Sequence, residues 1–183
     1  MSEKSPIKVS VCVVTYNQER YIGKCLESLV KQDTDFLFEI IVGEDGSTDD
    51  TRIVVEKFAE NYPDLIVKNF HEKNVGAVNN IISTYRLAKG RYICHMDGDD
   101  LALAGKLAEQ VESLDNNPGC VICSHDMKVI DEAGAVKRDG FSNQGSGVFG
   151  IEALYSHLPF FAHSSKMFVN DLYRPFWETL GSK

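Results

Sequence analysis

The sequence predicts an α/β fold: a mainly parallel sheet with helices on both faces. Two observations carry that expectation. Apolar runs of strand length alternate with stretches whose apolar residues recur at helical spacing, the pattern of βαβ units. Polar and acidic residues also collect where four successive strand runs end, whereas a domain without a site there would scatter them. Ligands of open parallel sheets sit beyond the carboxyl ends of the strands, so those ends are where a site is expected.

Each element has its own warrant. Residues 8–14, KVSVCVV, read as a buried strand. Ile22, Cys25, Leu26, Leu29 and Val30 recur at helical spacing and predict a helix over about 18–32. FEIIVG is the second strand run. Behind it, Ser47 or Thr48 can cap a helix running toward Asn61, which Pro63 and Asp64 break. LIVKNF predicts a third strand, and Val78, Ile81, Ile82 and Tyr85 a third helix that stops near Gly90. RYICHM is the fourth strand. Leu103, Leu107, Val111 and Leu114 stripe a fourth helix that ends at NNPG. CVICSH reads as a fifth, buried strand, and MKVIDEAGAVKRD as a hairpin turning at residues 132–134. Past residue 140 the pattern loosens into a Gly/Ser-rich loop (GFSNQGSGVFG), a short helix (IEALYSHL), a strand-like SKMFVN and an amphipathic LYRPFWETL. With no internal repeat or linker, residues 1–183 are expected to form one domain.

The bulk numbers narrow the function classes. With 183 residues, 43% hydrophobic and 25% charged, the chain has the make-up of an ordinary globular domain with room for a sizeable core. The formal net charge of -8 argues against nucleic acid as a partner, which asks for a basic footprint. A nucleotide whose phosphates are bridged by a divalent cation remains compatible with it. No apolar run reaches membrane-spanning length, and MSEKSPIK lacks the apolar stretch of a leader. The expected location is therefore cytoplasmic, with peripheral membrane association left open. Cys12, Cys25, Cys94, Cys120 and Cys123, odd in number and set among apolar neighbours, predict free structural thiols. Cys120 and Cys123 lack the second pair that a zinc site needs.

The first strand ends in Thr15, Tyr16 and Asn17, with Glu19 beyond; the second delivers Glu44, Asp45, Gly46 and Ser47. The third supplies His71, Lys73 and Asn74, and the fourth Asp97, Gly98, Asp99 and Asp100. Crowded carboxylates repel one another, and one tends to protonate unless a cation offsets the repulsion. Oxygen ligands suit Mg²⁺ or Mn²⁺, and a site with one or two protein carboxylates leaves positions for substrate phosphates. Helix capping by Asp99 or Asp100 is the plain alternative; it accounts well for one aspartate and poorly for three.

Spacing removes several rivals. A calcium loop starting at Asp97 fails, because Leu101, Ala102 and Ala108 stand at its fifth, sixth and twelfth positions. One starting at Asp45 finds Ser47, Asp49, Thr51 and Glu56 where ligands belong. It has Asp50 in place of the glycine, though, and a strand run precedes it. An aspartyl phosphotransfer site needs its Asp after the first strand, near where Asn17 lies. GxxxxGK[ST] does not occur, and the GxGxxG spacing of GSGVFG (145–150) follows no strand run directly, so a bound phosphate would need the metal.

VSVCVVTYNQERYIGKCLESLVKQ, EIIVGEDGSTDDT, KNVGAVNN, GRYICHMDGDD and KLAEQVESLDNNP resemble, in order and spacing, the family 2 glycosyltransferases of GT-A fold. The resemblance covers about residues 8–126, the expected nucleotide-sugar-binding part, and weakens over 127–183, the expected acceptor side. It implies transfer of a sugar from a nucleotide diphosphate sugar, a UDP-sugar first, to a glycan or lipid-linked acceptor hydroxyl, with inversion and with Mg²⁺ or Mn²⁺. It further implies that Thr15, Tyr16, Asn17 and Glu19 line the nucleoside pocket and that Asp45 hydrogen-bonds the base. By the same resemblance Lys73 and Asn74 approach the donor, Asp97 contacts ribose or the metal side, and Asp99 ligates the metal.

This chain departs from the family pattern in two places. Ala104 stands where the family often has proline. More consequentially, inverting enzymes need a carboxylate base for the acceptor hydroxyl, and the resemblance puts that base beyond Lys183. Asp126 and Asp171 are the stand-in candidates, and the expectation is a partial chain. His95, His125 and His163 read first as packed or rim histidines, with His125 the one nearest an acceptor role. A nucleotide-sugar-binding module without turnover is the alternative function. A metal-dependent nucleotidyltransferase would want a Gly-rich basic loop after the first strand, which TYNQERY is not.

Overall fold

The computed structural model describes residues 7–141, 145–156 and 161–172. In chain order the elements are β1 (Val9–Thr15), α1 (Ile22–Val30), β2 (Phe38–Glu44), α2 (Thr51–Asn61), β3 (Ile66–Phe70), α3 (Ala77–Arg86), β4 (Tyr92–Asp97) and α4 (Lys106–Asn116). They are followed by β5 (Ile122–Ser124), β6 (Lys128–Ile130), β7 (Val136–Asp139), α5 (Ile151–Ser156) and β8 (Lys166–Val169). Short 3-10 turns at His163–Ser165 and Asn170–Leu172 bracket β8. Six strands form one sheet in the order β3-β2-β1-β4-β8-β5, and β6 pairs with β7 in a separate ribbon. β1 is parallel to β2 and to β4, and β2 is parallel to β3. The expected mainly parallel sheet is there, with one exception: β8 is antiparallel to both β4 and β5.

Strand alternation sorts the core onto two faces. Val9, Val11 and Val13 of β1, with Ile40, Val42, Tyr92, Cys94 and Met96, pack against α1, α2 and α4. Cys12, Ile41, Ile93 and Phe168 face the other way, against Tyr85 of α3 and Ala88. Helices thus cover both faces, as the alternating pattern implied.

Several boundaries differ from the sequence reading for identifiable reasons. The first helix starts at Ile22 and not near 18, because residues 18–21 form a turn closed by Tyr21 N–H to Gln18 O at 2.9 Å. The N-cap of α2 is Asp50, so neither Ser47 nor Thr48 caps it. The fourth helix begins at Lys106 behind Gly105, whose φ of +82° is left-handed, and Leu103 lies outside it, exposed. Asp99 and Asp100 therefore do not cap α4, and the capping account of the acidic turn falls. CVICSH contributes three residues of a half-buried edge strand and not a buried one, because β8 takes the place beside β4. The hairpin turns as expected, with Gly134 N–H to Asp131 O at 2.8 Å. All five cysteines are free. Among the described residues no helix is long and apolar enough to cross a membrane. Most of LYRPFWETL and the end of IEALYSHL lie outside the described residues.

Helix α3 lies so close to β2 that a Cβ on Gly43 would overlap Thr84 Oγ1 and stand 2.5 Å from Asn80 Oδ1. Overpacking of that kind costs about 1–3 kcal/mol. Gly43→Ala is accordingly expected to lower the urea-unfolding free energy by that order, and adding Thr84→Ala to recover part of it. Equal stability of Gly43→Ala and the parent would show that α3 can shift freely on the sheet.

Candidate functional site

The register of the central strands sets the site. Thr15 pairs with Glu44 across β1–β2, and Val14 pairs with Asp97 across β1–β4, so three loops leave the sheet side by side. Backbone bonds join them: Asp45 N–H to Thr15 O at 3.1 Å and Gly98 N–H to Val14 O at 2.9 Å. Thr15, Asp45 and Asp97 share one rim, the carboxyl ends of parallel strands.

On the β1 side the polar residues are used to stitch loops together. Asn17, in the left-handed region at φ 52°, accepts the Thr48 N–H on Oδ1 at 2.9 Å, and its own N–H reaches Ser47 Oγ at 3.0 Å. Gln18 N–H donates to Thr51 Oγ1 at 2.7 Å and Glu19 N–H to Asp49 Oδ2 at 3.1 Å. Glu19 Oε2 accepts the Asp50 N–H at 2.9 Å. The buried Thr15 hydroxyl donates to Gln18 Oε1 at 2.8 Å. Asn17 and Glu19 therefore tie the loop after β1 to the loop after β2, and Tyr16 between them is exposed.

Asp45 is 2% exposed. Its Oδ1 accepts the Val75 N–H at 2.7 Å and its Oδ2 the Gly76 N–H at 3.0 Å, which places a carboxylate at the positive N-terminal end of α3. Gly46, at φ +67°, lets this turn lie against Lys73 and Asn74; a Cβ there would stand 2.5 Å from the Lys73 carbonyl carbon. Lys73 and Asn74 are exposed beside it. Buried Glu44 ion-pairs with Arg52, which also donates to the His71 carbonyl.

The acidic turn is gripped from several sides. Asp97 N–H donates to Ser164 Oγ at 2.9 Å, Asp100 N–H to Asp97 O at 3.0 Å, and Ala102 N–H to Ser28 Oγ at 3.0 Å. His95 Nε2 lies 3.2 Å from Asp97 Oδ1, and His95 Nδ1 lies 2.8 Å from the Tyr85 hydroxyl. Burial raises the Asp97 carboxyl, but the bond from His95, with His163 and Lys166 nearby, outweighs it and holds the group below the usual carboxylate value. Asp100 is pushed above that value by burial, helped by Asp99 and Asp97. Neighbouring carboxylates held apart in this way are the answer to their mutual repulsion. Asp99 is exposed and has no hydrogen-bond partner among the described residues.

Two histidines complete the cluster. Single ligand atoms of His95, Asp97 and His163 all lie within 4.8 Å of one another. Composition did not reveal this, because His163 comes from the turn before β8, which only the antiparallel insertion brings beside Asp97. That turn is held from α4: Lys106 Nζ donates to Ser164 O at 2.8 Å and Gln110 Nε2 to Ser165 O at 2.8 Å. Lys106 also lies 2.6 Å from His125 Nε2, and burial lowers its pKa. His125 is thus a partner of Lys106. Desolvation first and the Lys106 ammonium second lower its own pKa.

The stand-in bases fare differently. β5 runs in the direction of β4, so Asp126 comes out on the site's rim, where its Oδ1 accepts the Met127 and Phe141 N–H groups at 2.9 and 2.6 Å. Asp171 follows antiparallel β8, whose last residue, Val169, pairs with Tyr92 at the start of β4. It lies beyond the opposite end of the strands from Asp97, which corrects its assignment as a candidate base.

Residues 10–176 match the family model described as glycosyl transferase family 2. The chain belongs to that family. Among curated family relatives, the putative glycosyltransferase EpsE of Bacillus subtilis (strain 168) is 34% identical over 129 residues, 69% of this chain and 45% of EpsE. An uncharacterised protein of Mycobacterium tuberculosis, Rv1520, is 35% identical over 128 residues, 69% of this chain and 37% of its own. The chain therefore spans less than half the length of these relatives. S. aureus TarS 1-349, solved in complex with UDP, superposes with a TM-score of 0.69 at 26% identity, covering 93% of this chain and 49% of TarS 1-349. The mannosyltransferase PcManGT of Pyrobaculum calidifontis, solved with GDP-Man and Mn²⁺, gives 0.67 at 23%, over 98% and 49%, a likeness of fold. The fold is the GT-A fold of family 2.

His95, Asp97 and His163 are the described residues whose ligand atoms come together, and exposed Asp99 follows in the same turn. Carboxylate oxygens of this kind are ligands suited to Mn²⁺ or Mg²⁺.

The bonds of Asp45 generate a test. Removing the carboxylate leaves the half-buried Val75 N–H without its acceptor, at about 1–3 kcal/mol, while the Gly76 N–H keeps Asn74 Oδ1 at 3.1 Å. Asp45→Ala is expected to destabilise the free protein in urea by at least that order, and Asp45→Asn, which keeps one acceptor, by less. A fully stable Asp45→Ala would mean that the Val75 amide finds water and that Asp45 is not structural.

Proposed function

We propose that the protein transfers a sugar from a nucleoside diphosphate sugar, a UDP-sugar first, to an acceptor hydroxyl with inversion, assisted by Mg²⁺ or Mn²⁺. The observation that carries this reading is the single rim on which Tyr16, Asp45 and Asp97 emerge from three adjacent parallel strands. Family membership and the UDP complex of TarS support it. On this reading Tyr16 flanks the nucleoside within the wall built by Thr15, Asn17 and Glu19, and Asp45 meets the base. Lys73 and Asn74 border the donor. Asp97, Asp99 and His163 are the proposed cation ligands. Bound there, the cation would offset the negative charge that develops on the departing nucleoside diphosphate.

A donor-binding module without turnover is the second reading. It draws on the two stand-in bases: Asp126 is engaged with backbone amides and Asp171 lies across the sheet. Binding and transfer assays on the same protein separate the two readings. UDP binding together with hydrolysis of a UDP-sugar to UDP and free sugar, or with transfer of its sugar to an added acceptor, supports the enzyme; UDP binding alone supports the module.

Asp99→Asn tests the cation. It keeps the shape but removes a charge, so Mn²⁺-dependent UDP binding is expected to fall sharply, while the metal-free protein becomes slightly more stable as repulsion with Asp97 and Asp100 is relieved. Melting curves with EDTA, then with Mn²⁺ and UDP, read both effects. For the parent, ligand at 100 times its dissociation constant stabilises by about 2.7 kcal/mol. A shift in Asp99→Asn as large as the parent's would remove Asp99 from the ligand set. No UDP-induced shift in the parent would sink the donor reading itself.

A further inference from the structure

We infer that Tyr85 and His95 are positioning residues, a buried relay that fixes the direction in which the Asp97 carboxylate faces the site. The inference rests on the function proposed above and deepens it.

Alternation along β4 puts Ile93, His95 and Asp97 on the α3 face. Ile93 fills the apolar core there, and an apolar residue at position 95 would serve that core equally well. His95 is instead a fully buried imidazole, a polar group that burial penalises unless both nitrogens are satisfied. Both are. Nε2 lies 3.2 Å from Asp97 Oδ1, and Nδ1 lies 2.8 Å from the hydroxyl of Tyr85, itself 5% exposed. A neutral imidazole has one donor and one acceptor, and an ionised carboxylate only accepts. His95 therefore donates from Nε2–H to Asp97 and accepts the Tyr85 O–H on Nδ1.

The relay is held in place at its far end. The Tyr85 ring meets the His95 ring edge-on at 5.8 Å and packs against Phe168 at 5.4 Å. At its near end Ser164 Oγ stands 3.5 Å from Asp97 Oδ2 and accepts the Asp97 N–H. One carboxylate oxygen is thereby aimed from the α3 side and the other from the turn before β8. Outer partners of this kind set the orientation and basicity of the groups they hold, and their loss typically costs 10–100-fold in metal affinity. The competing role, His95 as a direct ligand alongside Asp97 and His163, would need a nitrogen that the relay already occupies.

Three variants of the full chain separate these roles, with Mn²⁺-dependent UDP affinity read by calorimetry and folding by melting in EDTA. Tyr85→Phe and His95→Leu are expected to weaken Mn²⁺-dependent UDP binding by about 10–100-fold. His95→Gln, whose amide can still donate to Asp97, is expected to retain most of it. The imidazole ¹⁵N spectrum of the parent is expected to show His95 protonated at Nε2, with the preference relaxed in Tyr85→Phe. Unchanged affinity in folded Tyr85→Phe and His95→Leu overturns the inference. So does a His95→Gln as impaired as His95→Leu, which would make His95 a ligand. If the parent shows no Mn²⁺-dependent UDP binding, the donor reading fails instead. The spectrum then decides the relay: an Nδ1–H tautomer in the parent overturns it, and the Nε2–H tautomer upholds it.

Discussion

Strand β1 is hydrogen-bonded on both sides and buried on both faces, and the rest of the molecule is arranged around it. Val9, Val11 and Val13 are wholly buried toward α1, α2 and α4, and Cys12 is wholly buried toward α3. Because side chains alternate with a period of two, a one-residue slip against either neighbour would turn that neighbour's apolar set to the wrong face. The register is therefore held by both cores at once. Its consequence is felt at the strand ends, where Thr15 meets Glu44 and Val14 meets Asp97. The juxtaposition of the Asp45 turn and the acidic turn follows from core packing more than from any bond between them.

What the rim adds is rigidity. Asn17, Glu19 and Asp45 carry groups that a nucleotide could use, and each is already engaged by backbone amides of a neighbouring loop. A rim built this way has its loop ordering completed before any ligand arrives, which reduces what binding must supply. Lys106 shows the same preference for order at some cost in stability. Lys106 is 7% exposed, and its ammonium is held by the Ser164 carbonyl and the His125 ring. Burial depresses its pKa accordingly. The turn that carries His163 and Ser164 is what that ammonium secures.

The strands and helices up to α4 were legible because each has a clean period: eight strand-length or helical stripes agree with the core that forms. Boundaries slipped where local polar bonds outrank periodicity, as at Ile22, delayed by the stitched 16–20 loop, and at Lys106, delayed by the held acidic turn. The central place of β8 was not legible. It is four residues long, and nothing in KMFV states that it will lie between β4 and β5 or run against them. Its direction decides two residues that spacing alone misplaces, bringing His163 to Asp97 and carrying Asp171 away. His95 had a readable signal, since it precedes Asp97 by two on one strand and so shares its face. Tyr85 had none, because its helix reads as ordinary core.

Asp97 stands at the joint between two kinds of pairing. On one side β4 is parallel to β1, which fixes the following residue, Gly98, through Val14 O. On the other β4 is antiparallel to β8, which fixes Asp97 itself through Ser164 Oγ. A Cβ on Gly98 would stand 2.8 Å from Thr15 Cβ, so the turn has no slack toward β1. Whatever displaces the turn before β8 therefore bears on Asp97, since the Thr15 side of the acidic turn is closely packed. That geometry makes antiparallel β8 and the turn before it the part of the described chain through which a displacement reaches Asp97.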